Sequence, residues 1–317
     1  MEKNTTDCLK GAAAVVVMLY HLTFYSDNRM LSLIFANTGQ LAVAVFLFMS
    51  GYGLTVRFQK KGRQYFEGFW LNKVFHLILI FLVSGTVVTV INNIFFHTDY
   101  NAADIVRAAL WFCYPNGREL WFVAIILYCY VCFWIGRKYL KGSLIWIVLN
   151  PIIYIGLCIA ADRGTWWYNT AFCFAIGELT ALYKKQIDKK TEKGRGIWLL
   201  AATAVFLVIE WKYRQGVRQL QYICPVSFLV LIYLFTLRVR VNSRILKFFN
   251  QMTFELYLVH LIVYKIFFSV RDPGIRWYIP MYAVILMLAY ITMQADKAVF
   301  KGARKLADCI CVKHRKA

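Results

Sequence analysis

Ten unbroken apolar runs separated by short polar connections leave this chain few folds to adopt. They lie at 8–25, 39–56, 74–96, 119–136, 143–161, 166–183, 196–211, 220–237, 252–270 and 277–296. Each approaches the length, about 17–25 residues, that carries a helix across a bilayer core. The runs are continuous rather than alternating, which predicts helices and not barrel strands. With 60% hydrophobic residues and a mean hydropathy of +0.54, the chain is more apolar than a soluble domain. The expected fold is all-α: a polytopic membrane helical bundle of about ten transmembrane helices. One domain is expected over 1–317, ending in a basic tail at 297–317.

Net charge is +21, yet its distribution argues for topology and against a nucleic-acid partner. If all ten runs span, the segments on the N-terminal side (1–10, 57–73, 137–142, 184–195, 238–251 and 297–317) hold 27 Lys and Arg, and the opposite loops hold nine. The remaining one, Lys265, lies inside the ninth run, where a long side chain snorkels. This bias is the positive-inside pattern and predicts both termini in the cytoplasm. The loop from Lys212 to Arg218, basic yet assigned outside, fits it least. Basic inner loops at Arg57–Lys73 and Lys184–Arg195 suit anionic lipid headgroups as partners. Only Met1–Asp7 precede the first run and no cleavage pattern follows it, so an uncleaved span is expected.

The nine cysteines form no disulfide framework, and Cys129 with Cys132 lacks the further ligands of a zinc site, so buried small hydrophobes are expected. Cys309 and Cys311 suit either lipidation or an idle pair in a basic tail. No group offers three or four metal ligands, and no metal is expected. In the longest outer connection, Ala102–Tyr114 carries the pattern of a short interfacial helix, either a surface helix or a lid.

Ionisable groups in lipid are costly and need a reason. Lys10 and His21 share the first run. Eleven helical residues turn through about 1,100°, returning to within roughly 20° while climbing about 16 Å, so both side chains leave the same face. A neutral imidazole can take and return a proton near neutral pH, as acyl transfer to an alcohol requires; a packing hydrogen bond explains it equally. Lys10 taken alone reads as a snorkelling anchor. Further polar clusters sit at Phe48–Leu54 (FMSGYGL, with Ser50 and Tyr52), Glu119–Phe122 (ELWF, with Trp121) and Phe254–His260 (FELYLVH, with Glu255, Tyr257 and His260). In the first, Ser50, Gly51 and Gly53 would admit another backbone closely, or line a substrate pocket. His21 and His260 together suggest a shared polar chamber. Glu178 is a candidate charge partner, with a helix–helix hydrogen bond an equal explanation, and Lys73 with His76 faces the cytoplasmic boundary, suited to an anionic ligand or to headgroups.

These clusters, in this order, resemble the bacterial integral-membrane acyltransferase 3 family over nearly the whole chain. Leu9-Lys10-Gly11 through Tyr20-His21 is similar to its first-helix signature, and FLFMSGYGL, ELWF and ELYLVH are similar to its later landmarks. The resemblance implies O-acyl transfer from acetyl-CoA, or another acyl-CoA such as succinyl-CoA, to a hydroxyl of a cell-envelope glycan or lipid-linked sugar. It implies His21 as the catalytic residue, Lys10, Lys73 and His76 at the donor, and Ser50, Tyr52, Glu119, Trp121, Tyr257 and His260 around the substrate. No bound cofactor is implied, and the location is the bacterial cytoplasmic membrane. Relatives often carry two arginines three apart where this chain has Lys73 and His76, which loses the bidentate fork of arginine. The physical alternatives are a transporter or flippase of envelope precursors and a non-catalytic scaffold.

Overall fold

A computed structural model describes residues 1–112, 120–269 and 274–314, with the side chains of residue 111 and of 306–314 outside the description. Every described regular element is helical. In chain order they are α1 (Lys3–Leu22), α2 (Arg29–Phe35), α3 (Gly39–Lys61), a π-helical turn (Trp70–Phe75), α4 (His76–Phe96), α5 (Ala102–Trp111), α6 (Trp121–Lys138) and α7 (Leu144–Ala160). There follow α8 (Phe172–Leu182), α9 (Lys184–Glu192), α10 (Arg195–Arg214), α11 (Ile223–Arg238), α12 (Arg244–Gln251), α13 (Thr253–Phe267) and α14 (Tyr278–His314). Each of the ten apolar runs falls on a helix. Five segments among the described residues are long and apolar enough to cross a membrane: Arg29–Phe66, Trp70–Phe96, Trp121–Lys138, Arg195–Arg214 and Ile275–Lys305. Helices α7 and α11 are apolar but shorter, α8 and α13 are shorter again, and α1 begins with two polar turns.

The chain divides into two compact units. The first comprises residues 1–24, 28–69 and 121–251. Helix α3 lies at its core, against α1, α8 and α11. Its contact with α8 is backbone to backbone: a methyl built on Gly51 would overlap the Phe174 carbonyl, and one on Gly177 would overlap the Phe48 carbonyl. Gly51 is thus the close-packing residue expected in FMSGYGL. Gly53 is not, since a methyl there meets nothing within 4 Å; it points to the side of α3 away from α8.

Helix α10 shows why a bilayer is the natural solvent. Ile197, Leu200, Leu207, Val208 and Trp211 are exposed, and the one buried residue of the helix is Glu210. In water that arrangement is inside out; in lipid it places the carboxylate where partners exist. Arg214 supplies one, its Nε donating to Glu210 Oε1 at 2.7 Å, and Cys224 Sγ donates to Oε2 at 3.0 Å. The basic loop at 212–218 is therefore partly an extension of α10. The same logic governs α7, where Pro151 lacks the N–H that would bond the Ile147 carbonyl. Asn150 Nδ2 donates to that carbonyl at 3.1 Å, so the break in the ladder is repaired from within the helix.

Gly11, next to Lys10, seats the short amphipathic helix α12, where a methyl would overlap the Leu246 carbonyl. Replacing Gly11 with Ala forces two backbones apart and is expected to cost about 1–3 kcal/mol, read as a lower midpoint of thermal unfolding in detergent.

The second unit comprises residues 25–27, 70–120 and 252–317. Helix α4 packs against α5, α13 and α14, and α13 packs against α14. Helix α5 is the short helix expected in this connection, with residues 113 and 114 of the expected range outside the described residues; it is capped by an Asn101–Asp104 capping box, with Val106 and Leu110 exposed and Ala108 buried. Helix α14 runs through residue 296 without a break, so the expected tail begins as further turns of the same helix.

Candidate active site

The two units hold different parts of the expected site. In the first lie Lys10, His21, Ser50, Tyr52 and Trp121; in the second lie Lys73, His76, Tyr257 and His260. Glu119 lies outside the described residues.

Helix α1 is continuous from Lys3 to Leu22, so the three-turn relation of Lys10 to His21 holds in the structure. His21 occupies the last turn, partly exposed, its ring 5.1 Å from that of Tyr20 and 5.9 Å from that of Phe24. Lys10 is also partly exposed, with Asp7 and Arg57 close enough to act on its charge. Between the two, on the same face, Ala14 and Val17 are buried. The face is therefore polar at its ends and packed in its middle. A cavity of about 360 Å³ runs beside α1, lined by Ala13, Val16, Leu41, Ala42 and Val45 among others. Its walls are mostly apolar, with the Glu210–Arg214 pair among them, and neither Lys10 nor His21 lines it.

Ser50 lies within hydrogen-bond reach of Tyr130. Tyr52 is buried, stacks on Phe48 at 6.3 Å and accepts a 2.9 Å hydrogen bond from the Met1 amino group. Trp121 opens α6, its ring edge-on to Phe122.

One level along α3, Arg137 forms a buried pair that the charge census did not anticipate. Its Nη2 donates to Glu178 Oε2 at 2.9 Å, with the two side chains only 6% and 3% exposed. The guanidinium also lies 5.5 Å from the Phe133 ring centroid and 5.9 Å from that of Phe58. Arg137 is thus not the loop cation that the census counted. Glu178 is the charge partner expected of it, and the signal for Arg137 was that lone buried acid, which had to be matched.

In the second unit, Lys73 sits in the π-helical turn and His76 opens α4. π-Turns are rare and occur frequently at functional sites. His76 Nε2 is 2.8 Å from Oδ2 of the buried Asp296, and its ring stacks on Phe300 at 4.2 Å. Arg304 lies over Phe300 at 5.0 Å and donates to Asn72. The stripe Asp296, Phe300 and Arg304, four apart on α14, meets Asn72 and His76, four apart across the start of α4. His76 consequently faces a carboxylate of its own unit. A lone acid ending the tenth apolar run was the available signal for Asp296.

His260 is fully buried, and its Nδ1 donates to the Leu256 carbonyl at 2.7 Å. A carbonyl only accepts, so Nδ1 carries the proton and Nε2 is the nitrogen that faces outward from the helix. Tyr264 packs edge-on to this ring at 5.5 Å and Tyr257 lies at 6.4 Å. No group of three or more metal-ligating side chains occurs among the described residues.

A family model described as an acyltransferase domain, the acyltransferase 3 type, matches residues 4–300 of the 317. The match begins before Lys10 and ends beyond Asp296, so it takes in both units. Neither a curated protein nor a solved structure matches this chain.

Proposed function

The chain belongs to the acyltransferase 3 family, and from that premise we propose that it is an O-acyltransferase moving an acyl group, acetyl in the first instance, from cytoplasmic acyl-CoA to a hydroxyl of a cell-envelope glycan or lipid-linked sugar. The observation that carries this reading is α1 itself: an unbroken helix with a cation near one end and an imidazole in its last turn, on one face. The proposal includes ten crossings of a bacterial cytoplasmic membrane with both termini inside, supported by the coincidence of ten helices with ten apolar runs and by the positive-inside bias.

Coenzyme A is an anionic cytoplasmic molecule, and its phosphates are drawn to Lys10, with Arg57 at hand, and to Lys73 on the π-turn. His76 joins the donor site with Asp296 as its counter-charge, which lowers its pull on a phosphate relative to an arginine. Ser50, Tyr52, Glu119, Trp121, Tyr257 and His260 are assigned to the substrate region. At the reacting end, the acceptor oxygen attacks the thioester carbonyl, His21 takes the hydroxyl proton, the C–S bond breaks, and the thiolate leaves with that proton as the thiol. In the variant route His21 first carries the acyl group and then passes it to the acceptor.

Incubating the purified protein with radiolabelled acetyl-CoA tests the reading: thioester cleavage that depends on His21 supports it, and intact donor after long incubation sinks it. Lys10→Ala is expected to raise the apparent KM for acetyl-CoA by about 10- to 100-fold with kcat little changed, the loss of one charge-assisted contact. Steady-state kinetics with an unchanged donor KM removes Lys10 from the donor site.

A further inference from the structure

Within the first unit, the groove beside α1 has a shape and a charge that the reaction as described does not use. Helix α1 packs on α3 and α10 packs on α11, and the groove lies between the two pairs, backed by the contact of α11 with α3. Its floor is Ala13, Leu41, Ala42 and Val45, all buried. Its rim is half-buried, with Leu9, Ala12 and Val16 of α1 on one side and Phe206 and Phe228, their rings 5.2 Å apart, on the other. Leu9, Ala12, Ala13 and Val16 are three and four apart and form one stripe of α1. The two alanines in that stripe leave the slot open.

The polar groups of the groove gather at one end. Phe206, Glu210 and Arg214 follow one another at single turns of α10, so the wall changes from apolar to charged over about 12 Å of helical rise. One leaflet of a bilayer core is about 15 Å deep. Glu210 is buried, whereas Arg214 reaches the surface. Arg214 donates from Nε to Glu210 and from Nη1 to the Leu33 carbonyl at 2.8 Å, and its Nη2 has no partner among the described residues. The loop from Lys212 to Arg218 carries two further cations and no acid. It is the loop that the positive-inside pattern fits least, so its charge calls for another reason.

Three features select the occupant. The mostly apolar walls hold no water and reward hydrocarbon over a sugar or a coenzyme. At about 360 Å³, a slot of that length is too narrow for a partner helix, which is about 10–12 Å across, and suits a single hydrocarbon chain. A guanidinium with a spare donor at the end of the slot is the complement of a phosphate, and the surplus positive charge of the loop favours a headgroup that is negative overall.

We propose that this groove binds an anionic phospholipid, with one acyl chain lying along Leu9, Ala12 and Val16 and the phosphate held by Arg214. The site is independent of the acyltransferase reading, since the lipid is bound and not acylated. Its chain bridges α1, the helix that carries Lys10 and His21, to the α10–α11 pair.

Native mass spectrometry of the purified protein in detergent, titrated with dioleoyl phosphatidylglycerol or dioleoyl phosphatidylcholine, tests the site. One saturable lipid is expected. Phosphatidylglycerol is expected to bind about five-fold more tightly, because the choline headgroup brings a cation towards Lys212 and Arg218. Ala12→Phe fills the slot and is expected to abolish the saturable step for both lipids. Arg214→Gln combined with Glu210→Gln removes both charges together and leaves neither buried alone; it is expected to weaken phosphatidylglycerol about 10-fold, the loss of one charge-assisted contact. Leu200→Ala, on the exposed side of α10 outside the groove, is expected to leave binding unchanged. No saturable step in the parent, equal affinity of the parent for the two lipids, or undiminished binding by Ala12→Phe overturns the assignment. The comparison of the two lipids needs no variant, so it decides even where a variant folds badly.

Discussion

Replacing His21 with Ala is expected to lower acyl transfer by about 10²- to 10⁴-fold, the range for loss of a positioned general base, while the protein still inserts and folds. The structural cost is small because the ring is partly exposed in the last turn of α1 and packs on Tyr20 and Phe24, its neighbours in the chain. The two routes for His21 separate in a rapid-quench experiment. A base leaves no label on the protein, whereas a carrier shows acid-labile acyl label on wild type at early times and none on the variant. A variant retaining full transfer activity with normal yield in the membrane fraction would remove His21 from the chemistry altogether.

The second large effect concerns stability. Arg137→Met leaves Glu178 buried and unpaired, and removing one partner of a buried pair typically costs about 3–5 kcal/mol. Were Arg137 the loop cation that its place after the fourth apolar run suggests, the change would stay within about 0.5 kcal/mol. The double substitution Arg137→Met with Glu178→Leu removes both charges and fills the space between Phe58 and Phe133 with apolar atoms; it is expected to recover most of the loss. Denaturant or thermal unfolding of the single and double variants in one detergent provides the check. A double variant as unstable as the single would show that the ring contacts of Arg137, and not the ion pair, hold the site together.

Much of the fold was legible because the membrane imposes a local rule. A backbone in lipid must satisfy its own hydrogen bonds, so each apolar run becomes a helix wherever it later packs. That is why all ten runs fall on helices. The short helices α2 and α12 were missed for the complementary reason. Helix α2, though apolar, is only seven residues long, α12 is short and half polar, and α12 packs on α1 at Gly11, where a methyl would overlap the Leu246 carbonyl. The Lys10–His21 relation needed helical geometry alone and survived. The fates of Tyr52 and His76 did not follow from spacing, since their partners, Met1 and Asp296, are 51 and 220 residues away.

By itself, then, the sequence determined that this is an all-helical chain built for lipid, and it carried the ordered clusters that the acyltransferase 3 match covers. Periodicity and hydropathy are properties of neighbouring residues, so they survive any choice of packing. Only the tertiary structure decided which polar groups meet: Arg137 with Glu178, His76 with Asp296, and Gln40 with Asn169. Those pairings arise from side chains distant in sequence converging in a medium where an unmatched polar group is costly.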